Sequence, residues 1–156
     1  MDRKLRLSPH FTLGELTRSS TAARKGIANL PPADLIPALE RLCLNILEPV
    51  RLHYGIPFCP NSGYRSPELN REIGGSPKSQ HCRGEAVDLE LPGVSNYDLA
   101  AWIQQNLDFD QLILECYQPG DPTSGWVHVS IKPDPVANRG IALTFSNRAY
   151  SNGLIA

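Results

Sequence analysis

This sequence lacks three features that would indicate a membrane helix, a cysteine metal site or a nucleic-acid partner: a long apolar run, cysteines paired at metal-binding spacing, and an excess of charge of one sign. No run approaches the ~20 apolar residues of a membrane helix, so we expect no membrane span. None of the four cysteines forms a CxxC pair, which excludes the common cysteine zinc sites, and we expect four free thiols. The 15 Lys and Arg balance 16 Asp and Glu, leaving a net charge of -1 and no electrostatic reason to expect nucleic acid as a partner.

The amino terminus lacks the apolar core of a secretory signal. Its first residues, MDRKLRLSPHF, are basic but contain no apolar run. We therefore expect the protein to be cytoplasmic when synthesised. A chain of 156 residues has the length of one domain, so residues 1–156 are interpreted as a single domain.

Helical periodicity comes first along the chain and strand-like runs come later. Between Pro31 and Gly55, apolar residues recur every three or four positions, which predicts an amphipathic helix that Pro49 kinks near its end. Shorter helices are predicted in SPELNREIGG and SNYDLAAWIQQNL, and a last strand near residues 141–145. This order predicts an α+β fold, with helices packed on a small antiparallel sheet.

Three predicted strands each carry polar side chains on one face: GEAVDLEL, QLILECY and GWVHVSI. Because strand side chains alternate with period two, Asp88, Glu115 and His128 each lie opposite an apolar face. The last two strands are consecutive, which favours an antiparallel pair. If Tyr117 lies opposite Trp126, then Glu115 lies directly opposite His128, with Cβ atoms about 4.5–5.5 Å apart.

A second histidine precedes the first of these strands. His81 lies seven residues before Asp88, and Gly84 between them is a turn residue. A loop ending at His81 can meet Asp88, and His128 can add a third donor. Two histidines and one carboxylate form a three-ligand zinc site with one open position, as in catalytic zinc. A chain with four His and 16 acids offers many such triples, so spacing alone also fits a structural role for each residue.

Three motifs together make the interpretation specific: SGYRSPELN at 62–70, SQHCRGEAVDLE at 79–90 and GWVHVS at 125–130. They resemble the zinc D-alanyl-D-alanine carboxypeptidase family, which belongs with the lysostaphin-type and hedgehog-type zinc domains. The family pattern S-x-H-x-x-G-x-A-x-D is matched by Ser79, His81, Gly84, Ala86 and Asp88. The resemblance covers residues from about 8 to 132 and looks like the compact single-domain branch of bacteriophages and prophages. Residues 133–156 remain unassigned.

The resemblance implies one Zn²⁺ per chain, held by His81, Asp88 and His128, and hydrolysis by zinc-activated water. The arginine of the SGYRS motif corresponds to Arg65, which would stabilise the oxyanion or hold a substrate carboxylate. By the same resemblance, Ser79 and Tyr64 would be hydrogen-bonding groups on the substrate side.

Trp126 is expected either to line the substrate groove or to pack in the core. One position departs from the family. Many members place the catalytic acid three residues before the second histidine, and here that residue is Gly125. We expect Glu115 to be the general base, from its predicted position beside His128. Glu90, on the face of Asp88, is the second choice.

The implied function is hydrolysis of peptidoglycan stem peptides, most of all removal of a terminal D-alanine. An L-alanyl-D-glutamate endopeptidase of the phage lysin type is the alternative within the enzyme class. A non-catalytic zinc or cell-wall-binding module is the alternative outside it, because Gly125 cannot act as a base. A protein made in the cytoplasm would reach the wall after release or virion assembly.

Overall fold

Most helices precede the strands. The computed structural model describes residues 1–156 and contains six α-helices. Their bounds are α1 (Leu13–Leu16), α2 (Ser20–Lys25), α3 (Ile36–Leu42), α4 (Glu48–Tyr54), α5 (Pro67–Glu72) and α6 (Asn96–Asn106). Single 3-10 turns occur at Ala33–Leu35, Gln80–Arg83 and Pro135–Ala137. The two shorter helices predicted from the sequence are confirmed as α5 and α6, and no helix combines the length and hydropathy needed to cross a bilayer.

The long amphipathic helix is interrupted before its proline. A single π turn, Cys43–Leu47, joins α3 to α4, and the Glu48 N–H donates to the carbonyl five residues earlier. Pro49 follows, has no N–H, and its ring excludes the carbonyl four residues back, so the helix has to widen or break there. The predicted kink therefore takes the form of a π turn, and the helix ends at Gly55 with φ +65°.

Five strands form one sheet in the spatial order β1-β3-β2-β4-β5. Their bounds are β1 (Ala86–Leu89), β2 (Gln111–Glu115), β3 (Trp126–Ser130), β4 (Ile141–Ser146) and β5 (Ala149–Asn152). β2 and β4 are parallel and the other pairs are antiparallel, so the expectation of an antiparallel sheet is wrong for one pair. Both edges of β3 are occupied by β1 and β2. β4 follows β3 along the chain and cannot pair with it, so β4 pairs with the free edge of β2 and runs parallel to β2.

The unassigned tail completes the sheet. The strand predicted near residues 141–145 is confirmed as β4, and β5 follows it after a two-residue turn. Asn147 and Arg148 form this turn with φ values of +50° and +60°, as tight hairpins require. β5 carries no periodic apolar signal, because this edge strand is exposed along its whole length.

The sheet has one apolar face that packs on the helices. Its fully buried residues include Leu112 and Leu114 of β2 and Val127 and Val129 of β3. They share one core with the stripe of α3, the π turn and α4. A fully buried Leu or Val contributes about 1.5–3 kcal/mol relative to an exposed one. The apolar period-two face therefore fixes which side chains point the other way.

Candidate metal centre and active site

The second face of the sheet forms the floor of an open cleft. The cavity has a volume of about 590 Å³, and only three of its 17 lining residues are hydrophobic, which suits a polar ligand. Its floor carries seven side chains: Asp88 from β1, Gln111, Ile113 and Glu115 from β2, Trp126 and His128 from β3, and Tyr150 from β5.

The three residues expected to hold a metal meet at one point of this cleft. His128 Nδ1 lies 2.9 Å from Asp88 Oδ1, and His81 Nε2 lies 3.4 Å from the same oxygen. His81 Nε2 and His128 Nδ1 are 3.3 Å apart. Asp88 and His128 are directly opposite each other on β1 and β3, whereas His81 comes from the 3-10 turn before β1.

The triangle of donor atoms has the dimensions of a zinc site. A tetrahedral zinc ion with bonds of about 2.0–2.2 Å separates its ligand atoms by about 3.3–3.6 Å. The three observed separations of 2.9, 3.3 and 3.4 Å are close to one face of that tetrahedron. Two imidazoles and a carboxylate also form a donor set that Zn²⁺ prefers. The residues present therefore fit the metal that the motifs imply.

The orientation of His81 is fixed by a backbone carbonyl. Its Nδ1 lies 2.8 Å from the Gly63 oxygen, which can only accept a hydrogen bond, so Nδ1 carries the proton. The lone pair of Nε2 then faces Asp88 and His128. Such a second hydrogen bond sets the tautomer and ring position of metal-binding histidines. Gly63 was not singled out from the sequence, and only its place in the SGYRS motif could have indicated it.

The SGYRS segment joins the metal donors through backbone hydrogen bonds. Ser62 pairs with Asp88, whose N–H donates to the Ser62 carbonyl at 2.8 Å. The Arg65 N–H donates to the His81 carbonyl at 3.2 Å. The Arg65 side chain then reaches the centre, where Nη2 donates to Asp88 Oδ2 at 3.3 Å. Arg65 thus lies beside the donor triangle, at the wall of the cleft.

The protonation states at this point suit metal binding. Burial opposes ionisation of Asp88, but its contacts with His128 and His81 outweigh it and hold the pKa of Asp88 below its usual range. Burial lowers the pKa of His81. A carboxylate and a neutral imidazole are the forms in which these side chains bind metals.

Glu115 lies in the cleft, but not opposite His128. The register expected from the sequence is wrong by two residues, because Glu115 pairs with Trp126 and Ile113 pairs with His128. β2 ends at Glu115, since Cys116 adopts φ +53° and turns the chain out of the strand. A shift of two residues keeps the same face, so Glu115 still points into the cleft, about 7 Å further along the strand.

The environment of Glu115 favours its protonated form. Burial raises the pKa of its carboxyl, Asp88 adds to the shift, and His128 opposes it. A carboxyl with a raised pKa accepts a proton more readily than an ordinary surface Glu, which is what a general base at neutral pH requires.

Gly125 is enclosed by the backbone of β2. A Cβ atom at this position would lie 1.9 Å from the Glu115 carbonyl oxygen, and Gly125 has φ +67°. No side chain fits there without moving the strand end. The position at which the resemblance implies an acid therefore contacts the backbone of Glu115, the residue that we expect to be the base.

The remaining candidate residues divide between the cleft and other places. Ser79 lines the cleft and its hydroxyl accepts from the His81 N–H at 3.3 Å, and Trp126 lines the cleft rather than the core. Tyr64 is buried in the core cluster and does not line this cleft, so its expected contact with substrate stays a prediction. Glu90 follows the end of β1 and bonds with Asn61 and Asn96, away from the cleft.

Several cleft residues lie beyond residue 131, and no sequence pattern indicates them. Lys132, Arg139 and Tyr150 all line the cavity. Arg139 is held by Asp110, which is completely buried just before β2. These residues belong to no motif, and only the pairing of β4 with β2 brings the tail to the cleft.

A family model described as Peptidase M15 matches residues 9–130. The chain belongs to the Peptidase M15 family. Membership identifies it as a metallopeptidase of a zinc-dependent family that acts on peptidoglycan. The match includes all three metal donors together with Arg65 and Glu115, and it ends before Lys132. No curated protein matches the chain.

Proposed function

We propose that this M15 peptidase removes the terminal D-alanine from peptidoglycan stem peptides, with one Zn²⁺ at the His81–Asp88–His128 centre. The observation that carries the proposal is the position of Arg65, whose guanidinium lies 3.3 Å from Asp88 beside the donor triangle. A carboxypeptidase has to bind the free carboxylate next to the bond that it cleaves. A guanidinium has the geometry for that contact.

The chain's own residues each take one part of the reaction. When bound, the metal supplies Lewis-acid polarisation of the scissile carbonyl and acidification of water. Arg65 binds the terminal carboxylate of the substrate, and Ser79 and Trp126 line the surface against which the peptide is oriented. The Glu115 carboxylate takes a proton from the attacking water and transfers it to the leaving amine.

Cleavage within the stem peptide, as by an L-alanyl-D-glutamate endopeptidase, is the second candidate. The cleft continues on both sides of the metal donors, towards Trp126 and Tyr150 in one direction and towards Lys132 and Arg139 in the other. A cleft whose lining extends on both sides of the metal donors accommodates peptide on both sides of the scissile bond.

Mass spectrometry of a pentapeptide ending in D-alanyl-D-alanine tests these candidates. We expect loss of one alanine with zinc-loaded protein and no loss after chelation. Glu115→Gln should retain zinc and lower kcat by about 10²–10⁴-fold. Glu68→Gln, at an exposed position outside the cleft, is the matched control and should remain active.

Three other outcomes of these experiments would each change the proposal. A chelator-sensitive internal cut would replace the carboxypeptidase with the endopeptidase. A zinc-loaded protein that leaves every stem peptide intact would support the non-catalytic binding module. Full activity of Glu115→Gln would show that another group is the base.

A further inference from the structure

One end of the cleft carries lysine and arginine side chains that the proposed chemistry does not use. We name Lys78, Lys132 and Arg139 the basic end of the cleft. Lys132 lies four residues beyond His128 on the chain that continues from β3, which corresponds to about 13 Å of extended backbone. The basic end therefore lies beyond the metal donors, on the side away from Glu115.

Arg139 is fixed by a buried carboxylate. Its Nε donates to Asp110 Oδ1 at 2.9 Å, its Nη2 to Oδ2 at 2.8 Å, and its backbone N–H to Oδ1 at 3.0 Å. Gln80 Nε2 donates to Oδ2 at 3.2 Å. These bonds hold the pKa of Asp110 down at about 2, so it remains a carboxylate. Arg139 is thereby held at the cleft with Nη1 free of any protein acceptor.

The basic end has more positive charge than its partners neutralise. Lys132 Nζ lies 3.6 Å from Asp110 Oδ1, which already accepts two bonds from Arg139. The ammonium of Lys78 forms no ion pair. Lys132 and Arg139 thus share the single carboxylate of Asp110 and Lys78 has no partner, so the three cations leave an excess of two positive charges. Arg83, also in the cleft wall, is paired with Glu85 and leaves this excess unchanged.

We propose that the basic end of the cleft binds a carboxylate of the substrate two to four residues from the scissile bond. This inference rests on the proposed function, because it assigns the peptide a second anionic anchor in addition to the group at Arg65. The matching group in a stem peptide is the α-carboxylate of D-glutamate, which stays free when the residue is linked through its side chain. Lys78 lies within the family match, but Lys132 and Arg139 lie beyond it, so two of the three cations come from outside the matched residues.

Two matched peptides test the inference by equilibrium binding. They are pentapeptides ending in D-alanyl-D-alanine that differ only in D-glutamate or its α-amide. Calorimetry with zinc-loaded Glu115→Gln protein measures binding without rapid turnover. We expect the carboxylate peptide to bind about tenfold more tightly at low salt, since a charge-assisted hydrogen bond contributes at least that factor. The preference should fall as salt rises.

Variants then locate the preference. Adding Lys78→Gln and Lys132→Gln should remove it and leave the affinity for the amide peptide unchanged within about twofold. Lys4→Gln, an exposed lysine outside the cleft, should keep the full preference. Arg139 is not substituted, because its removal would leave Asp110 buried without its main partner.

Two results would refute the basic end as a carboxylate site. One is equal affinity for both peptides, and the other is a preference that survives both lysine substitutions. Failure of the proposed function is a different result: wild-type zinc-loaded protein would cleave neither peptide. The binding comparison does not depend on cleavage, so the two failures are distinguishable.

Discussion

Returning an acid to position 125 should damage this protein rather than improve its catalysis. Gly125→Glu places a carboxylate at the position where the motif resemblance implies one. In this chain the new Cβ would lie 1.9 Å from the Glu115 carbonyl oxygen, a separation at which the two atoms overlap. The substitution would therefore push apart the Glu115 and Trp126 ends of β2 and β3.

The cost has two parts. A side chain at φ +67° costs about 1–2 kcal/mol, because Cβ is then too close to the backbone. Relief of the overlap requires the strand ends to separate by about 1 Å, and overpacking of this kind costs about 1–3 kcal/mol. A total of about 3 kcal/mol should lower Tm by about 6–12 °C for a chain of this size.

Thermal and urea unfolding of zinc-loaded protein measure this cost, and Gly120→Ala separates its two parts. Gly120 lies in the same β2–β3 connection with φ +88°, but a Cβ there would meet nothing within 4 Å. Gly120→Ala should therefore lose only the contribution of the backbone angle, about 1–2 kcal/mol.

An activity measurement makes the same reasoning refutable at the site. The double variant Glu115→Gln with Gly125→Glu should be no more active than Glu115→Gln alone, because the strand end cannot present the new carboxylate. If the double variant recovers activity, or if Gly125→Glu unfolds at the same temperature as wild type, the steric account of position 125 is wrong.

Three further predictions concern stability. Because burial raises the pKa of Glu115, the folded state holds that proton more tightly than the unfolded state, and stability is lost as pH rises above the usual range of Glu. Metal-free Glu115→Gln should therefore have a higher Tm than metal-free wild type at pH 7 and an equal Tm near pH 3. A difference in Tm that stays constant across pH would contradict this. If free zinc is about 100 times its Kd, removing it with a chelator should lower the free energy of unfolding by about 2.7 kcal/mol and lower Tm. The chelator should have no such effect on His128→Ala. An equal shift in Tm for that variant would mean that the ion binds elsewhere. Gly63→Ala should lower both Tm and zinc affinity, because the new Cβ would lie 2.4 Å from the Leu16 carbonyl oxygen and would displace the residue 63 carbonyl that orients His81. Unfolding curves and metal titration test this, and wild-type values of both Tm and zinc affinity would refute it.

The sequence predicts the sheet face on which each polar side chain lies more reliably than it predicts the residue opposite that side chain. Period-two alternation assigns Asp88, Glu115 and His128 to the polar face of their strands whatever the register. The register itself was wrong by two residues, because nothing local shows that Cys116 leaves the strand at φ +53°. Because a register shift of two residues keeps every side chain on the same face, Glu115 still lies in the cleft as expected.

What could not be predicted depends on pairing between distant parts of the chain. The polar edge strand β5 has no apolar periodicity, because it packs no face against the core. Arg139 lines the cleft because β4 pairs with β2, which leaves the crossing segment beside Asp110. Local patterns carry no information about such contacts until the order of the strands is known.

The metal donors are positioned by the segment between Ser62 and Arg65 as well as by their own strands. β1 and β3 place Asp88 opposite His128, but His81 lies in a single 3-10 turn that has no sheet partner. Hydrogen bonds to the Gly63 carbonyl and from the Arg65 N–H hold that turn against β1. The SGYRS motif therefore has two parts, because its backbone orients His81 and its arginine reaches Asp88, where we propose that it binds the substrate. A substitution such as Arg65→Lys should leave the backbone role intact and remove only the planar guanidinium, so zinc affinity should persist while KM for a stem peptide rises.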